Sequence, residues 1–299
     1  MDGIVLIDKE KNMTSRDVVN IACQKLNTRH IGHTGTLDPM ATGVLPVLIG
    51  KGTLLSKYLI DHDKTYLATL KLGIKTDTGD ITGDTIKTQS VDDEILLEDN
   101  IKNVFSSIQG EQEQIPPMYS AIKVNGKKLY EYARKGLTVK VEPRTIKIYN
   151  TEIINIDIDN KEIAFRVSCS KGTYIRTLCE TIAEKLGTVG TMKSLDREKV
   201  GIFDIKNAIK ISEINDNNFS KYFISIEDFF EQNDEIILSP RSYIAYLNGV
   251  NLLTDNEDGI YRIYNKDNKF VGTGIVKNGI LKRDIVIWKR FWYNYNRMI

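Results

Sequence analysis

The residues from Gly32 to Pro46 read Gly32-His33-Thr34-Gly35-Thr36-Leu37-Asp38-Pro39-Met40-Ala41-Thr42-Gly43-Val44-Leu45-Pro46. This stretch, with three glycines and two prolines, cannot form a regular helix, because each glycine costs a helix about 1 kcal/mol and each proline about 3. Its one carboxylate is Asp38. Pro39 pushes Asp38 away from the helical region towards an extended backbone. Gly32 and Gly35 carry no Cβ, so another chain can approach closely there. The pattern holds an acid in a non-helical loop beside room for a ligand. The same residues also fit an ordinary surface turn, since Asp before Pro commonly accepts local hydrogen bonds.

Of the 299 residues, 41% are hydrophobic and 27% charged, which fits a soluble globular protein with one large and one small domain. Near the start only Ile4–Ile7 is apolar, and it is flanked by Asp2 and Asp8, so no signal peptide is expected. Met40–Gly50, the longest uncharged and largely apolar run, is far short of the roughly 20 residues that span a bilayer. Cys23, Cys169 and Cys179 are too scattered for a disulfide framework or a CxxC metal site. A reducing cytoplasm is the expected location.

The net charge of +1 hides segregation. Residues 77–113 carry ten acids and two bases, residues 116–147 eight bases and two acids, and residues 262–299 nine bases and two acids. Two basic segments separated by acidic ones point to a polyanion-binding face, unless the charges cancel in three dimensions.

Periodicity predicts a buried strand at Ile4–Ile7, a helix over Ser15–Leu26 capped by Thr14 or Ser15, and an alternating strand over Lys64–Ile74. It further predicts a helix over Asp92–Ile108, a strand over Ile163–Cys169 and a helix over Tyr174–Leu186 closed by Gly187. Glu213–Asp234 is rich in Asn, Asp and Glu, and the domain boundary is placed near its end. Beyond it come a short helix at Pro240–Asn248 and strands at Tyr261–Tyr264, Lys269–Val276 and Ile280–Trp288. The Asn278-Gly279 pair between the last two is a hairpin signal. No internal repeat or low-complexity tract is visible.

Two tempting motifs fail. Gly50-Lys51-Gly52-Thr53 lacks the spacing of a phosphate loop. Asp77–Asp84 puts Gly79 where a calcium loop needs a ligand. His30 and His33 have no third partner in sequence, so no metal site is expected.

Gly32–Pro46 resembles the catalytic motif of the TruB family of tRNA pseudouridine synthases. Gly3–Lys9, Tyr66–Asp80, Ile115–Arg134 and Ser170–Thr177 resemble the same family, in the family's order. The resemblance covers roughly residues 1–230 and, more weakly, the C-terminal part. It implies a mixed α/β (α+β) fold with a largely antiparallel central sheet over residues 1–232. An RNA-gripping insertion is implied at residues 115–140, and a small PUA-like β-barrel at residues 235–299.

The resemblance also implies the chemistry. A pseudouridine synthase breaks the N-glycosidic bond of a uridine, turns the base and rejoins it through carbon, an isomerisation that needs no cofactor. Asp38 matches the catalytic carboxylate. Arg176, at the start of a helix, matches its partner and is expected to hold it ionised with a lowered pKa. Tyr66 matches the tyrosine that stacks on the target base. His33 matches the residue that contacts the flipped nucleotide. Lys9, Tyr174 and Leu195 complete the expected substrate contacts; Arg197, outside that set, would act mainly on binding if it touches phosphate. Two positions depart from the family: Glu10 stands where proline usually follows the lysine, and Leu54 where relatives often carry Lys. The expected substrate is uridine-55 in the T arm of tRNA, with no obligatory protein partner. The alternative, a non-catalytic RNA-binding or tRNA-folding protein on the same scaffold, is disfavoured because Asp38 and Arg176 are both present.

Overall fold

A computed structural model describes residues 1–215 and 217–287. Trp288, Phe291, Trp292, Tyr293 and Tyr295 of the basic tail, and the end of the strand expected at Ile280–Trp288, lie outside the described residues.

The N-terminal strand Gly3–Lys9 shows why the sheet forms. Ile4, Val5, Leu6 and Ile7 are all at most 2% exposed. Ile4 and Leu6 join one core cluster, and Val5 and Ile7 join another on the opposite face. Burying each such side chain contributes about 2 kcal/mol, so this strand is fixed from both sides. It leads into a turn and then the helix Ser15–Lys25, whose Thr14 and Asp17 form a capping box. Val18 and Ala22 of that helix pack on Val5 and Ile7.

An 11-stranded sheet organises the chain. Its main path runs Ile209–Lys210, Gly3–Lys9, Thr42–Ile49, Gly190–Val200, Lys64–Leu72, Glu162–Cys169, Arg144–Asp157 and Gly110–Gln114. Gly3–Lys9 runs parallel to Ile209–Lys210, and Gly190–Val200 parallel to Thr42–Ile49; the other neighbours on this path are antiparallel. The sheet is therefore mixed and largely antiparallel, as the resemblance implies. Tyr66, Ala68, Leu70 and Leu72 alternate inward from the Lys64–Leu72 strand. They meet Ile175, Leu178 and Ile182 of the helix Ile175–Lys185.

Some elements differ from the sequence reading. The helix expected over Asp92–Ile108 is two pieces, a short turn Asp93–Leu96 and a helix Glu98–Ser107, with Leu97 extended between them at ψ 134°. Each piece begins with its own acids, which favour a helix N-terminus. The strand Lys64–Leu72 stops early because Gly73 turns at φ 83°. The long apolar run at Met40–Gly50 contains a central strand, Thr42–Ile49, that the prolines concealed.

The last part of the chain forms a 5-stranded sheet in the order Glu235–Ile237, Gly259–Tyr264, Phe270–Lys277, Ile280–Val286, Leu252–Leu253. Its path stays open among the described residues, so it is a half-barrel. The Asn278-Gly279 turn closes the expected hairpin, with both residues at positive φ. The helix Pro240–Leu247 is capped by Ser239. This sheet does not stand apart: Tyr264, Phe270 and Ile285 share one core cluster with Ile4, Leu6 and Val44. Lys51 donates to the carbonyls of Val286 and Ile287 at 2.8 Å each. The Asp284 carboxylate, 3% exposed, accepts from Tyr58 at 2.6 Å and from Thr273 at 2.9 Å, and also pairs with Lys57.

Gly43 marks a close approach in the central sheet. Its φ is 109°, and a Cβ there would lie 2.4 Å from both the backbone nitrogen and the backbone oxygen of Arg197. Gly43→Ala combines a forbidden φ with a backbone clash and should cost about 3 kcal/mol or more. Urea denaturation measures it; a cost below about 1 kcal/mol would mean that the two strands separate freely.

Candidate active site

The loop that carries Asp38 is held at several points. Ser15, the first residue of its helix, binds Leu37 twice: its hydroxyl accepts from the Leu37 N–H at 2.9 Å and donates to the Leu37 carbonyl at 3.3 Å. The Asn12 N–H reaches the Pro39 carbonyl at 2.8 Å. Arg197 donates to the carbonyls of Gly35 and Val44 at 2.9 Å each. The backbone has little freedom left, so Asp38 sits where the sheet puts it.

Lys9 is the fourth anchor, which changes its expected role. Its residue is 0% exposed, and its ammonium donates to the carbonyls of Met13 at 2.7 Å, Glu10 at 3.1 Å and Pro39 at 3.3 Å. Burial pushes it down to about 8, with the Asp38 charge pulling the other way. An ammonium enclosed by three carbonyls is not available to a substrate phosphate. Lys9 braces the Asp38 loop from below. Arg197 is likewise buried: it is 1% exposed, pairs with Tyr66 across the strands and donates to the carbonyls of the Asp38 loop, so it braces the site from within and does not offer its guanidinium at the surface.

Arg176 closes on Asp38 through a fork. Its Nε lies 3.0 Å from one carboxylate oxygen, and its Nη2 lies 3.3 Å from the other. The rest of the guanidinium is used: Nη1 donates to the Thr78 carbonyl and Nη2 to the Tyr119 carbonyl, each at 2.9 Å. The Arg176 side chain is 6% exposed, whereas Asp38 keeps 33% of its side chain open. The arginine is therefore fixed, and the carboxylate faces outward from it.

The electrostatics reverse one expectation. The Asp38 pKa is raised, chiefly by burial; Arg176 and Lys9 lower it, and the nearby Asp80 charge raises it. An ion pair near a protein surface gains about 4 kcal/mol at 4 Å. Desolvating an ion costs several kcal/mol, and here that cost exceeds the gain. Asp80 is itself held by Thr82, whose N–H and hydroxyl reach its carboxylate at 3.0 and 2.5 Å. The Asp77–Asp84 turn thus supplies both the Thr78 carbonyl and the second acid, a part the sequence reading did not assign.

Tyr66 stands beside this pair on the central strand, in register with Arg197 and Val167. Burial raises its phenol pKa, so it is neutral. Leu195 lies on the neighbouring strand opposite Ala68 and shares a core cluster with Tyr66 and Leu37. His33 ends the short strand Ile31–His33 that leads into the loop. Its Nδ1 is buried without a hydrogen-bond partner, and burial with nearby Arg197 and Arg16 lowers its pKa, which favours a neutral ring. Tyr174 is the N-cap of the Arg176 helix and has no side-chain cap bond of its own. Its backbone is instead held by Gln114, which the sequence did not single out.

The insertion begins right after Gln114. It holds a small hairpin, Lys123–Val124 with Lys127–Lys128, turned at Asn125-Gly126, then a helix Leu129–Ala133. Lys123, Lys127, Arg134, Lys135 and Lys140 are exposed. Of the two departures, Glu10 accepts from Ser212 at 3.3 Å and Leu54 is exposed. Among the described residues, no group of three or more His, Cys, Asp or Glu side chains could hold a metal ion. No helix among them is long and apolar enough to cross a membrane.

The sequence and the fold of this chain are matched by known proteins. The family model described as TruB family pseudouridylate synthase (N terminal domain) matches residues 24–175. The tRNA pseudouridine synthase B of Clostridium kluyveri is 42% identical over 93% of this chain and 96% of its own. The protein of that name from Clostridium novyi is 44% identical over 94% of this chain and 98% of its own. The one from Francisella tularensis subsp. novicida is 40% identical over 94% and 93%. Among solved structures, a chain of a Cbf5-Nop10-Gar1 complex superposes with a TM-score of 0.66 at 25% identity, covering 96% of this chain and 84% of that one. A chain of an H/ACA RNP bound to a substrate RNA containing 2'-deoxyuridine shares the fold, with a TM-score of 0.67 at 24% identity over 97% and 86%. The chain belongs to the TruB family of pseudouridylate synthases.

The geometry has two consequences that can be measured. A carboxyl whose pKa is raised on folding binds more protons folded than unfolded, so stability falls as pH rises through its titration. Asp38 thus costs stability at neutral pH. Asp38→Asn should be at least as stable as the natural protein at pH 7, with the difference fading towards about pH 4. Urea midpoints at the two pH values check this; a marked loss of stability at pH 7 would contradict it. Arg176→Lys replaces a planar fork by a point charge on a flexible stem. It should slow the bound-state step by about a hundredfold or more, since an error near 1 Å suffices for that. Single-turnover assays read the rate, and a loss below about fivefold would mean that the fork is dispensable.

Proposed function

We propose that this chain is the isomerase that converts uridine-55 in the T arm of tRNA to pseudouridine, with Asp38 as its catalytic carboxylate. The observation that carries this reading is the Arg176 fork on Asp38 at 3.0 and 3.3 Å, on a carboxylate that stays partly open. The curated relatives named tRNA pseudouridine synthase B, about 40% identical along nearly the whole chain, supply the substrate class.

The roles follow from the chemistry of the groups. The reaction breaks one bond, C1′ to N1, makes one, C1′ to C5, and moves one proton: C5 loses its proton and N1 gains one, so the atoms balance as in an isomerisation. It consumes no reductant and no phosphoryl group. Ionised Asp38 acts on the target nucleotide while the fork fixes both of its oxygens. Tyr66, neutral and paired with Arg197 across the strands, offers a flat face to the loose base. Leu195 keeps that side of the site apolar. Extruding a base from its stack costs a few kcal/mol. The neutral ring of His33, with one nitrogen unsatisfied, takes a place beside the extruded nucleotide. Tyr174 lines the site at the start of the Arg176 helix. The exposed bases of residues 115–140 contact phosphates, which position the RNA without reading its sequence. The C-terminal domain of residues 235–299, whose described part is the half-barrel, acts as an RNA-binding module beside a catalytic domain of residues 1–232.

The test uses pure protein and an unmodified tRNA transcript. Pseudouridine should form at position 55 and be lost when the T-arm uridine is replaced. Asp38→Asn should abolish it while tRNA binding stays within about tenfold, because most of the affinity comes from phosphate contacts. Turnover by the Asn variant, or pseudouridine mapped elsewhere in the tRNA, would contradict the assignment.

A further inference from the structure

Gln114 is the last residue of the strand Gly110–Gln114 and is buried. Its side-chain amide makes both of its useful bonds to a single residue. The Tyr174 N–H donates to Gln114 Oε1 at 2.8 Å, and Gln114 Nε2 donates to the Tyr174 carbonyl at 3.0 Å. That carbonyl also accepts the first turn's bond from Leu178 at 3.0 Å. Tyr174 has no side-chain cap, so the amide stands where a cap would, on the residue that starts the helix carrying Arg176. Five residues after Gln114, the Tyr119 carbonyl accepts from Arg176 Nη2 at 2.9 Å. One short segment therefore holds the Arg176 helix by its start and Arg176 by its head.

We propose that Gln114 is a positioning residue for the Arg176–Asp38 pair, coupling the placement of the 115–140 insertion to the orientation of the fork. The inference rests on the reading of Asp38 and Arg176 as the reacting pair. Its physical basis is distance: Arg176 is two residues from Tyr174, so a shift of the helix start is passed directly to the guanidinium. A paired amide-to-backbone contact resists both translation and rotation of that start. A single hydrogen bond would leave the rotation free.

Gln114→Met keeps the length and bulk of the side chain and removes both bonds. Gln114→Glu is the isosteric second variant: when ionised it keeps the bond from the Tyr174 N–H and loses the donor to the carbonyl. Each is measured for tRNA Kd and for single-turnover rate at saturating protein, and Gln114→Met also for the Asp38 carboxyl pKa by NMR, assigned with Asp38→Asn. The groups facing Asp38 are Arg176 from the helix, Asp80 from the Asp77–Asp84 turn and Lys9 from the first strand. In Gln114→Met only the Arg176 contribution changes, so a further rise of the Asp38 pKa in that variant, moving the acidic limb of the rate profile to higher pH, reads the fork; Gln114→Glu adds a charge of its own and is read by rate and Kd alone. The single-turnover rate should fall by about tenfold or more, with Kd within about threefold. Wild-type rate in either folded variant, a loss confined to Kd, or an unmoved Asp38 pKa in Gln114→Met would overturn the proposal. The NMR titration needs no turnover. A natural protein that forms no pseudouridine would count against the functional reading, while the titration still decides the role of Gln114.

Discussion

The structure is arranged around one ion pair, Arg176 with Asp38. Each partner is fixed from its own side before they meet. The loop under Asp38 is tied by Ser15, Asn12, Arg197 and Lys9. The arginine is tied by the carbonyls of Thr78 and Tyr119 and by the helix it starts. A net hydrogen bond contributes about 1 kcal/mol, so each set of ties is worth a few kcal/mol. That is enough to hold a carboxylate whose burial works against its charge. The sheet brings these ties together, because Gly43 lets the Arg197 strand lie directly on the strand that follows the loop.

Much of this was legible in the sequence because it rests on local chemistry. The loop with three glycines and two prolines announced a non-helical acid, and the Lys64–Leu72 alternation placed Tyr66 on an inward face. Thr14, Gly187 and Asn278-Gly279 marked the ends of elements through their own backbone preferences. Legibility failed where the third dimension decided. Lys9 and Arg197 look like surface cations by composition, yet both are buried against carbonyls. Nothing local announces an acceptor that arrives from thirty residues away in sequence, as Pro39 does for Lys9. The direction of the Asp38 pKa was misjudged for the same reason: a nearby arginine could be inferred from the motif, but the extent of burial could not. Gln114 carried no signal, since a glutamine at a strand end has no characteristic spacing.

The boundary between the two sheets teaches a related lesson. The Asn-, Asp- and Glu-rich segment before residue 235 suggests a boundary near its end, and the chain changes sheets between Phe223–Ser225 and Glu235–Ile237. The hydrophobic core does not follow that change. Tyr264, Phe270 and Ile285 complete a cluster begun by Ile4 and Leu6, and Asp284 gathers Lys57, Tyr58 and Thr273 at the same junction. A covered apolar face of this kind favours one relative placement of the two sheets. An RNA spanning both would therefore meet a surface whose shape is set before it binds, which reduces the ordering cost of association.

The opposing forces on Asp38 also bear on how the proposed chemistry would be switched on. In the free protein the carboxylate keeps a third of its side chain open, and that water helps to keep it ionised. A nucleotide seated against Tyr66 and Leu195 would displace that water. Desolvation would then weigh more heavily on the charge, while the fork, already fixed on two carbonyls, could not retreat. The carboxylate would be left anionic but more basic, and thus more reactive, only when substrate fills the site. Asp80 acts in the same direction by adding a second negative charge nearby. A carboxylate with a lowered pKa would have been stable and inert. The combination seen here, burial opposed by a rigid arginine, would let the arrival of an RNA base change the reactivity of the proposed catalytic carboxylate.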